Sequence, residues 1–236
     1  MKNEELNNLF RQKLSTSLIT DACIRNGVPL RLAPFGIHSI LPGWKIGGSA
    51  IGVKHFGSVD VFIERIHSAK SGDILVIDNE GRTDEGCIGD LTVLEAVSAK
   101  MSGIVVWGVH RDTTEIQRID LPVFSFGAYP LGPVRSVSGI DSGDKIVRFG
   151  DEIITADDYV FADEDGVTFV HQQYLKTILA TAVELSEKER KQADQIKQGK
   201  NLYRQFAFDK FLELKKLNPG LSFRAYLKKI GGAIEE

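Results

Sequence analysis

Two short polar motifs in this chain could together bind an anionic substrate and a divalent metal. They are Gly89-Asp90 and Arg111-Asp112, separated by the segment from Leu91 to His110. An arginine guanidinium can clamp a carboxylate or an enolate with two hydrogen bonds. Aspartate oxygens are hard ligands that suit Mg²⁺ or Mn²⁺, and Mg²⁺ commonly keeps several waters beside one or two carboxylates. These residue types predict metal-assisted chemistry on a small acid.

A strand, a helix and a second strand are predicted to bring the two motifs together. ILVID (Ile74–Asp78) and IVVWG (Ile104–Gly108) are apolar runs typical of buried strands, and LTVLEAVSAKM (Leu91–Met101) has helical spacing. The polar, glycine-containing stretch after ILVID is predicted to be a loop. A βαβ unit of this length has parallel strands. Both motifs then lie at one sheet edge, where α/β units bind ligands.

At that edge, the N–H groups of Leu91 and Thr92 are expected to be free and, with the helix dipole, to favour a bound carboxylate. The predicted reaction breaks a carbon–carbon bond in a 2-oxo acid, with the developing enolate held by Arg111 and the metal. Asp90 could hold a water for proton transfer. A purely structural interpretation also fits: an acidic helix cap at Asp90 and a local ion pair at Arg111-Asp112.

Other reactive side chains give weaker signals. No histidine has metal-ligand spacing, and His110 fits either a packing residue or a proton carrier. A Schiff-base aldolase needs a desolvated lysine, for which Lys54 and Lys145 are the minor candidates. Cys23 and Cys87 are predicted to be structural thiols. The glycine-rich loops of nucleotide-binding proteins do not occur.

Composition indicates a globular protein. The chain has 236 residues, 42% of them hydrophobic, and a net charge of -3, which gives no electrostatic case for nucleic acid or a membrane surface. No apolar run approaches the length of a membrane span, and the charged start lacks a signal-peptide core. We therefore expect a cytoplasmic protein with one compact domain and a tail.

The predicted fold class is α/β with a mixed sheet. Two helices occupy the first 30 residues, strands and turns occupy 36–57, and a helix covers Val59–Ala69. After PVFSFG come five short β-like runs of an antiparallel half: VRSVSGI, KIVRF, EIIT, YVFA and GVTFV.

A highly charged helical tail follows the sheet. Its first helix is predicted from Gln172 to Lys200, continuing through Leu217, with a last helix over Phe223–Ile230. We therefore divide the chain into a domain, 1–171, and a helical extension, 172–236. The apolar residues of the extension predict packing across a subunit boundary and hence a homo-oligomer.

The block GDILVID, GDLTVLEAVSAKMSGIVVWG and HRD resembles the family of 4-hydroxy-4-methyl-2-oxoglutarate aldolase and the regulator of ribonuclease activity A. STSLITDACIRNG, LPVFSFG and FADEDGVTFV are similar to further segments of that family, so the resemblance covers nearly the whole chain. Its most specific mark is the spacing from Asp90 to Arg111-Asp112. The resemblance implies a β/β/α layered fold of the swivelling-domain type, assembled as trimers or hexamers.

The resemblance also implies roles for matching residues. The substrate-binding turn falls on Gly89, Asp90, Leu91 and Thr92. Arg111 takes the pyruvyl and enolate contact, so that Asp90 and Arg111 are the catalytic residues, and Asp112 takes the Mg²⁺ or Mn²⁺ ligand position.

The implied activity is retro-aldol cleavage of a 4-hydroxy-4-methyl-2-oxoglutarate-like substrate to pyruvate, with decarboxylation of oxaloacetate as a second activity. The alternative is a non-catalytic, protein-binding regulator. The aldolases also use an acidic residue from the C-terminal helix of a neighbouring subunit. Glu187 and Glu189 are the two candidates for that position.

Overall fold

The computed structural model describes residues 1–135 and 146–231. It begins with two helices, α1 (Asn3–Lys13) and α2 (Thr16–Arg25). Leu6 and Phe10 form the buried face of α1, and the Ser15 hydroxyl accepts a hydrogen bond from the Leu18 N–H to start α2. The prediction of two N-terminal helices is confirmed.

A mixed seven-stranded sheet forms the centre of the molecule, in the order β1-β5-β4-β3-β2-β8-β9. Its strands are β1 (His38–Ser39), β2 (Ile46–Lys54), β3 (Ile74–Ile88), β4 (Gly103–His110), β5 (Val123–Ser125), β8 (Asp158–Asp163) and β9 (Gly166–His171). Strands β2 to β5 are parallel, whereas β1, β8 and β9 join in antiparallel fashion. The predicted α/β class with a mixed sheet is therefore confirmed.

Strands β3 and β4 form the parallel pair that was expected. Their register runs from Ile74 opposite Gly103 to Asp78 opposite Trp107. The prediction of a loop after Asp78 is wrong, because β3 continues to Ile88 through three register shifts. The chain around Leu131 supports this irregular half, since the Gly86 N–H donates to the Leu131 carbonyl at 2.7 Å.

Three helices connect the parallel strands: α3 (Asp60–His67), α4 (Asp90–Ser98) and α5 (Thr113–Ile119). Each helix packs its apolar face on the sheet and contributes to the main hydrophobic core. The contributing residues include Phe62 of α3, Val93 of α4 and Ile116 of α5. A second core lies between α1, α2 and the later strands, where Phe10 packs on Phe161 with ring centroids 5.2 Å apart. Helices therefore cover the sheet, and two apolar cores pack against it.

A small hairpin, β6 (Val147–Phe149) and β7 (Glu152–Ile154), packs beside the main sheet. It confirms strands in KIVRF and EIIT, and β8 and β9 confirm those in YVFA and GVTFV. Most of the VRSVSGI run lies outside the described residues.

The carboxyl-terminal part consists of α6 (Gln172–Lys197), α7 (Leu202–Gln205), α8 (Phe208–Leu217) and α9 (Phe223–Ile230). The prediction of one continuous helix to Leu217 is wrong, because Gly199 and Ala207 adopt positive φ angles of 87° and 46° and end the helical runs. The division at residue 171 stays a prediction, although β9 ends there and α6 begins at the next residue.

An aromatic cluster joins the last three helices. Its members are Phe206, Phe208, Phe211, Phe223 and Tyr226. The tail thus covers part of its apolar surface by itself, while Tyr203 and Leu217 stay exposed. Within residues 1–135 and 146–231, no helix combines the length and the hydropathy that a membrane crossing requires.

Candidate functional site

The predicted site residues converge on one cavity of about 420 Å³. Its walls include all six residues that the sequence pointed to: Gly89, Asp90, Leu91, Thr92, Arg111 and Asp112. The parallel pairing of β3 and β4 brings them together, because Gly89 follows the last residue of β3 and Arg111 follows the last residue of β4. A cavity of this size suits a small acid.

The start of α4 differs in detail from the expectation. Gly89 is the N-cap residue and Asp90 is the first residue of the helix, so Asp90 is not the cap. The Leu91 N–H donates to Asp90 Oδ1 at 2.8 Å, which corrects the prediction that it is free. The helix dipole still favours an anion here, and the second oxygen of Asp90 remains available to water.

Arg111 and Asp112 form the local ion pair considered in the sequence, with Nε 3.3 Å from Oδ2. Both side chains are partly exposed, so this contact contributes little to stability. Glycines pack closely against the pair: an added Cβ at Gly89 would lie 2.2 Å from Asp112 Oδ2, and one at Gly132 would lie 2.5 Å from Arg111 Nη1. The terminal guanidinium nitrogens have no hydrogen-bond partner among the described residues and can receive an anion.

The donor set fits a sparsely ligated divalent cation. Asp112 and Asp90 offer carboxylate oxygens to the same cavity, and the absence of a Cβ at Gly89 leaves room for the Asp112 carboxylate. Within the described ranges, no group of three or more His, Cys, Asp and Glu side chains could hold a metal ion. A cation here would keep most of its waters, as Mg²⁺ commonly does.

The sequence interpretation missed the wall of the cavity that contains His55. This residue follows β2, its side chain is only 1% exposed, and its ring stacks on Phe62 with centroids 5.0 Å apart. Behind it lie Asn79 and Glu85, in the half of β3 that was predicted to be a loop. The signal that could have found it is its position at the end of a parallel strand.

The contacts of His110, the candidate proton carrier, do not favour that role. Its Nδ1 lies 2.8 Å from Ser125 Oγ and its Nε2 lies 2.9 Å from Thr113 Oγ1. Burial lowers its pKa to about 4. With both ring nitrogens engaged by hydroxyls, His110 acts as a packing residue behind the Arg111 turn.

The candidate acidic residues of α6 lie elsewhere in this chain. Glu187 and Glu189 line a separate cavity with Leu14 and Lys45. Their contribution to a neighbouring subunit's site stays a prediction.

Comparison with known proteins places the chain in a family. The model of the RraA-like family, described as Aldolase/RraA, matches residues 12–169. The chain belongs to the RraA-like family. A Pseudomonas aeruginosa relative named "Putative 4-hydroxy-4-methyl-2-oxoglutarate aldolase" is 30% identical over 130 residues, covering 55% of this chain and 78% of that protein. A relative of the same name from Aromatoleum aromaticum is 34% identical over 96 residues, covering 41% of this chain and 59% of that protein.

Two solved structures share the fold. An uncharacterized protein from Pseudomonas syringae pv. tomato superposes with a TM-score of 0.69 at 24% identity, covering 83% of this chain and 94% of that one. Streptomyces coelicolor RraAS2, described as an unusual member of the RNase ES inhibitor RraA protein family, gives 0.68 at 24% identity, covering 79% and 94%. At this identity the likeness establishes the fold alone.

Proposed function

We propose that this RraA-like protein is a divalent-metal-dependent lyase that acts on pyruvyl-containing 2-oxo acids. The proposed reactions are retro-aldol cleavage of 4-hydroxy-4-methyl-2-oxoglutarate-like substrates to pyruvate and decarboxylation of oxaloacetate. The observation that carries the proposal is the convergence of Asp90, Arg111 and Asp112 on one small cavity. The names of the aldolase relatives support the same reaction class.

Both reactions release the enolate of pyruvate, so one arrangement of groups can serve both. The Arg111 guanidinium is oriented by Asp112 through Nε and directs its remaining N–H groups at the substrate's carboxylate or enolate oxygen. Asp112, with Asp90 nearby, would hold the cation, which when bound supplies positive charge next to the same oxygens. Asp90 holds a water that can deliver a proton to the enolate carbon.

The aldolase proposal is tested by measuring pyruvate release from oxaloacetate and from 4-hydroxy-4-methyl-2-oxoglutarate, with Mg²⁺ or Mn²⁺ and with EDTA. A reaction with metal but no protein corrects for spontaneous decarboxylation. We expect metal-dependent turnover that Asp112→Ala abolishes, because the substitution removes the cation's ligand from a partly exposed position. Asp21→Ala, an exposed acidic position on α2, is the matched control.

The alternative function is a protein-binding regulator. The structural likeness to proteins described as RraA inhibitors favours it as the second candidate. A chain that releases pyruvate from neither substrate with either metal would favour the regulator over the lyase.

A further inference from the structure

His55 is a buried, titratable group of the cavity that the proposed reaction has not yet used. It lines the same cavity as Arg111 and Asp112. Its Nδ1 lies 2.8 Å from Asn79 Oδ1, whereas its Nε2 has no hydrogen-bond partner among the described residues. A nearly buried imidazole that lines a cavity, with one nitrogen hydrogen-bonded and the other without a partner, is a candidate for proton transfer.

The hydrogen bonds around Asn79 determine which nitrogen of His55 carries the proton. Arg135 Nη2, which can only donate, lies 2.9 Å from Asn79 Oδ1. That contact identifies the atom as the amide oxygen, because an amide nitrogen could not accept this hydrogen bond. The Nδ1 of His55 must then donate to the same oxygen. In the neutral ring, Nε2 therefore carries no proton and keeps its lone pair, on a residue that lines the cavity.

Charges of both signs face His55, and Glu85 is the neighbour that favours its protonated form. Glu85 Oε1 lies 3.8 Å from Nδ1 and is itself bound by Arg135 at 2.9 Å, with Arg82 Nε at 3.4 Å. Asp60, at the start of α3, adds a second negative charge. Burial is the largest effect and lowers the pKa of His55, so the ring is neutral at neutral pH. Glu85 offsets part of the cost of an imidazolium, whereas the positive charges of Arg135 and Arg82 add to that cost.

We propose that His55 Nε2 is the general base that accepts the substrate's 4-hydroxyl proton during retro-aldol cleavage. This inference rests on the proposed lyase function and extends it to a residue of the β2 end. The O–H bond breaks and its proton moves to Nε2, while the oxygen forms a carbonyl at C4. The C3–C4 bond breaks, and its electron pair becomes the pyruvate enolate, whose oxygen Arg111 holds. The water held by Asp90 then gives C3 its proton, which completes pyruvate, and the proton on Nε2 passes to the hydroxide that is left, so that His55 is neutral again.

Decarboxylation of oxaloacetate provides an internal control for this assignment. Its substrate has no 4-hydroxyl, and the electron pair that forms the enolate comes from loss of CO₂. That reaction needs Arg111 and the cation site but no base for a hydroxyl. A general base contributes about 10²- to 10⁴-fold to the rate. His55→Asn should therefore separate the two activities.

The experiment compares His55→Asn and His55→Gln with His67→Asn, an exposed histidine at the end of α3. We expect both His55 variants to lose at least about 100-fold in kcat for retro-aldol cleavage, while oxaloacetate decarboxylation stays within a few-fold of the native rate. His67→Asn should keep both activities. Equal losses on both substrates, or no loss on either, would refute the base assignment while leaving the lyase function in place.

A second measurement does not depend on turnover. Two-bond ¹H–¹⁵N correlation spectra of the native protein report the tautomer of each histidine, and His55→Asn assigns the signal. We expect the Nδ1–H tautomer at neutral pH. An Nε2–H tautomer, or an imidazolium at neutral pH, would overturn the proposal even if the native protein proved to be a regulator without lyase activity.

Discussion

Replacing Gly89 with alanine is expected to disable the site while leaving the fold intact. Gly89 has φ -136° and ψ -167°, an extended conformation that alanine adopts without strain. The obstacle is the added methyl group, which would lie 2.2 Å from Asp112 Oδ2 and 3.3 Å from Arg111 Nε. Ordinary contacts of a Cβ begin at 3.4 Å. The Asp112 carboxylate must therefore move by about 1 Å.

The size of the effect follows from that displacement. A misplacement of about 1 Å in a catalytic arrangement can cost about 10²-fold in rate. Asp112 is partly exposed and can turn towards solvent, and the ion pair it would lose with Arg111 contributes at most about 1 kcal/mol. We expect kcat/KM for pyruvate release to fall by about 100-fold, the Mg²⁺ requirement to rise and the unfolding midpoint to change little.

The assay combines coupled detection of pyruvate across a Mg²⁺ series with urea unfolding of the same preparations. Gly220→Ala is the matched control, because the nearest atom to its added Cβ is Asn218 Oδ1 at 3.5 Å. A Gly89→Ala protein with native turnover and native Mg²⁺ requirement would show that the Asp112 position is irrelevant to the reaction. Unfolding of the variant would instead assign the glycine a structural role.

Three further predictions concern Arg111, the assembly and His110. Arg111→Lys should lose about 10²- to 10³-fold in turnover, because lysine keeps the charge but not the planar two-point contact. Light scattering after size exclusion should show a trimer or hexamer, and a fully active 26.1 kDa monomer would contradict this. With a His110 pKa of about 4 in the fold and about 6.5 unfolded, the unfolded chain binds more protons between these pH values. Stability should therefore fall by up to about 3 kcal/mol as pH drops through this window, and the urea midpoint of His110→Gln should lack this slope.

The sequence predicted the part of the fold that rests on hydrophobic periodicity. ILVID and IVVWG lie in buried strands, the helix between them buries one face, and the parallel pairing of the strands brings Asp90 and Arg111 to one cavity. The second, polar half of β3 was predicted to be a loop because its residues do not alternate between apolar and polar. Glu80, Thr83 and Asp84 are exposed, and the buried Glu85 is held by an ionic contact with Arg135, which a local pattern does not contain.

The tail shows a second limit of local patterns. Its charged sequence predicted one continuous helix, yet positive φ angles at Gly199 and Ala207 allow the chain to fold back. The aromatic residues that seemed to require a partner pack largely on one another, as Phe211 does with Phe223 at 4.9 Å. The prediction of an oligomer therefore depends more on the family resemblance and on exposed residues such as Leu217 than on the whole apolar set.

The positions of the proposed proton acceptor, substrate turn and enolate contact explain how one fold could serve more than one reaction. His55, Gly89 and Arg111 follow the ends of β2, β3 and β4, which are hydrogen-bonded neighbours. The sheet therefore places these three groups at neighbouring strand ends, with the proton acceptor on a different strand from the substrate turn and the enolate contact. Retro-aldol cleavage needs all three groups. Decarboxylation needs only the substrate turn and the enolate contact. A change at the β2 end alone should remove retro-aldol cleavage and leave decarboxylation, because the enolate site stays in place. The His55 variants test this expectation.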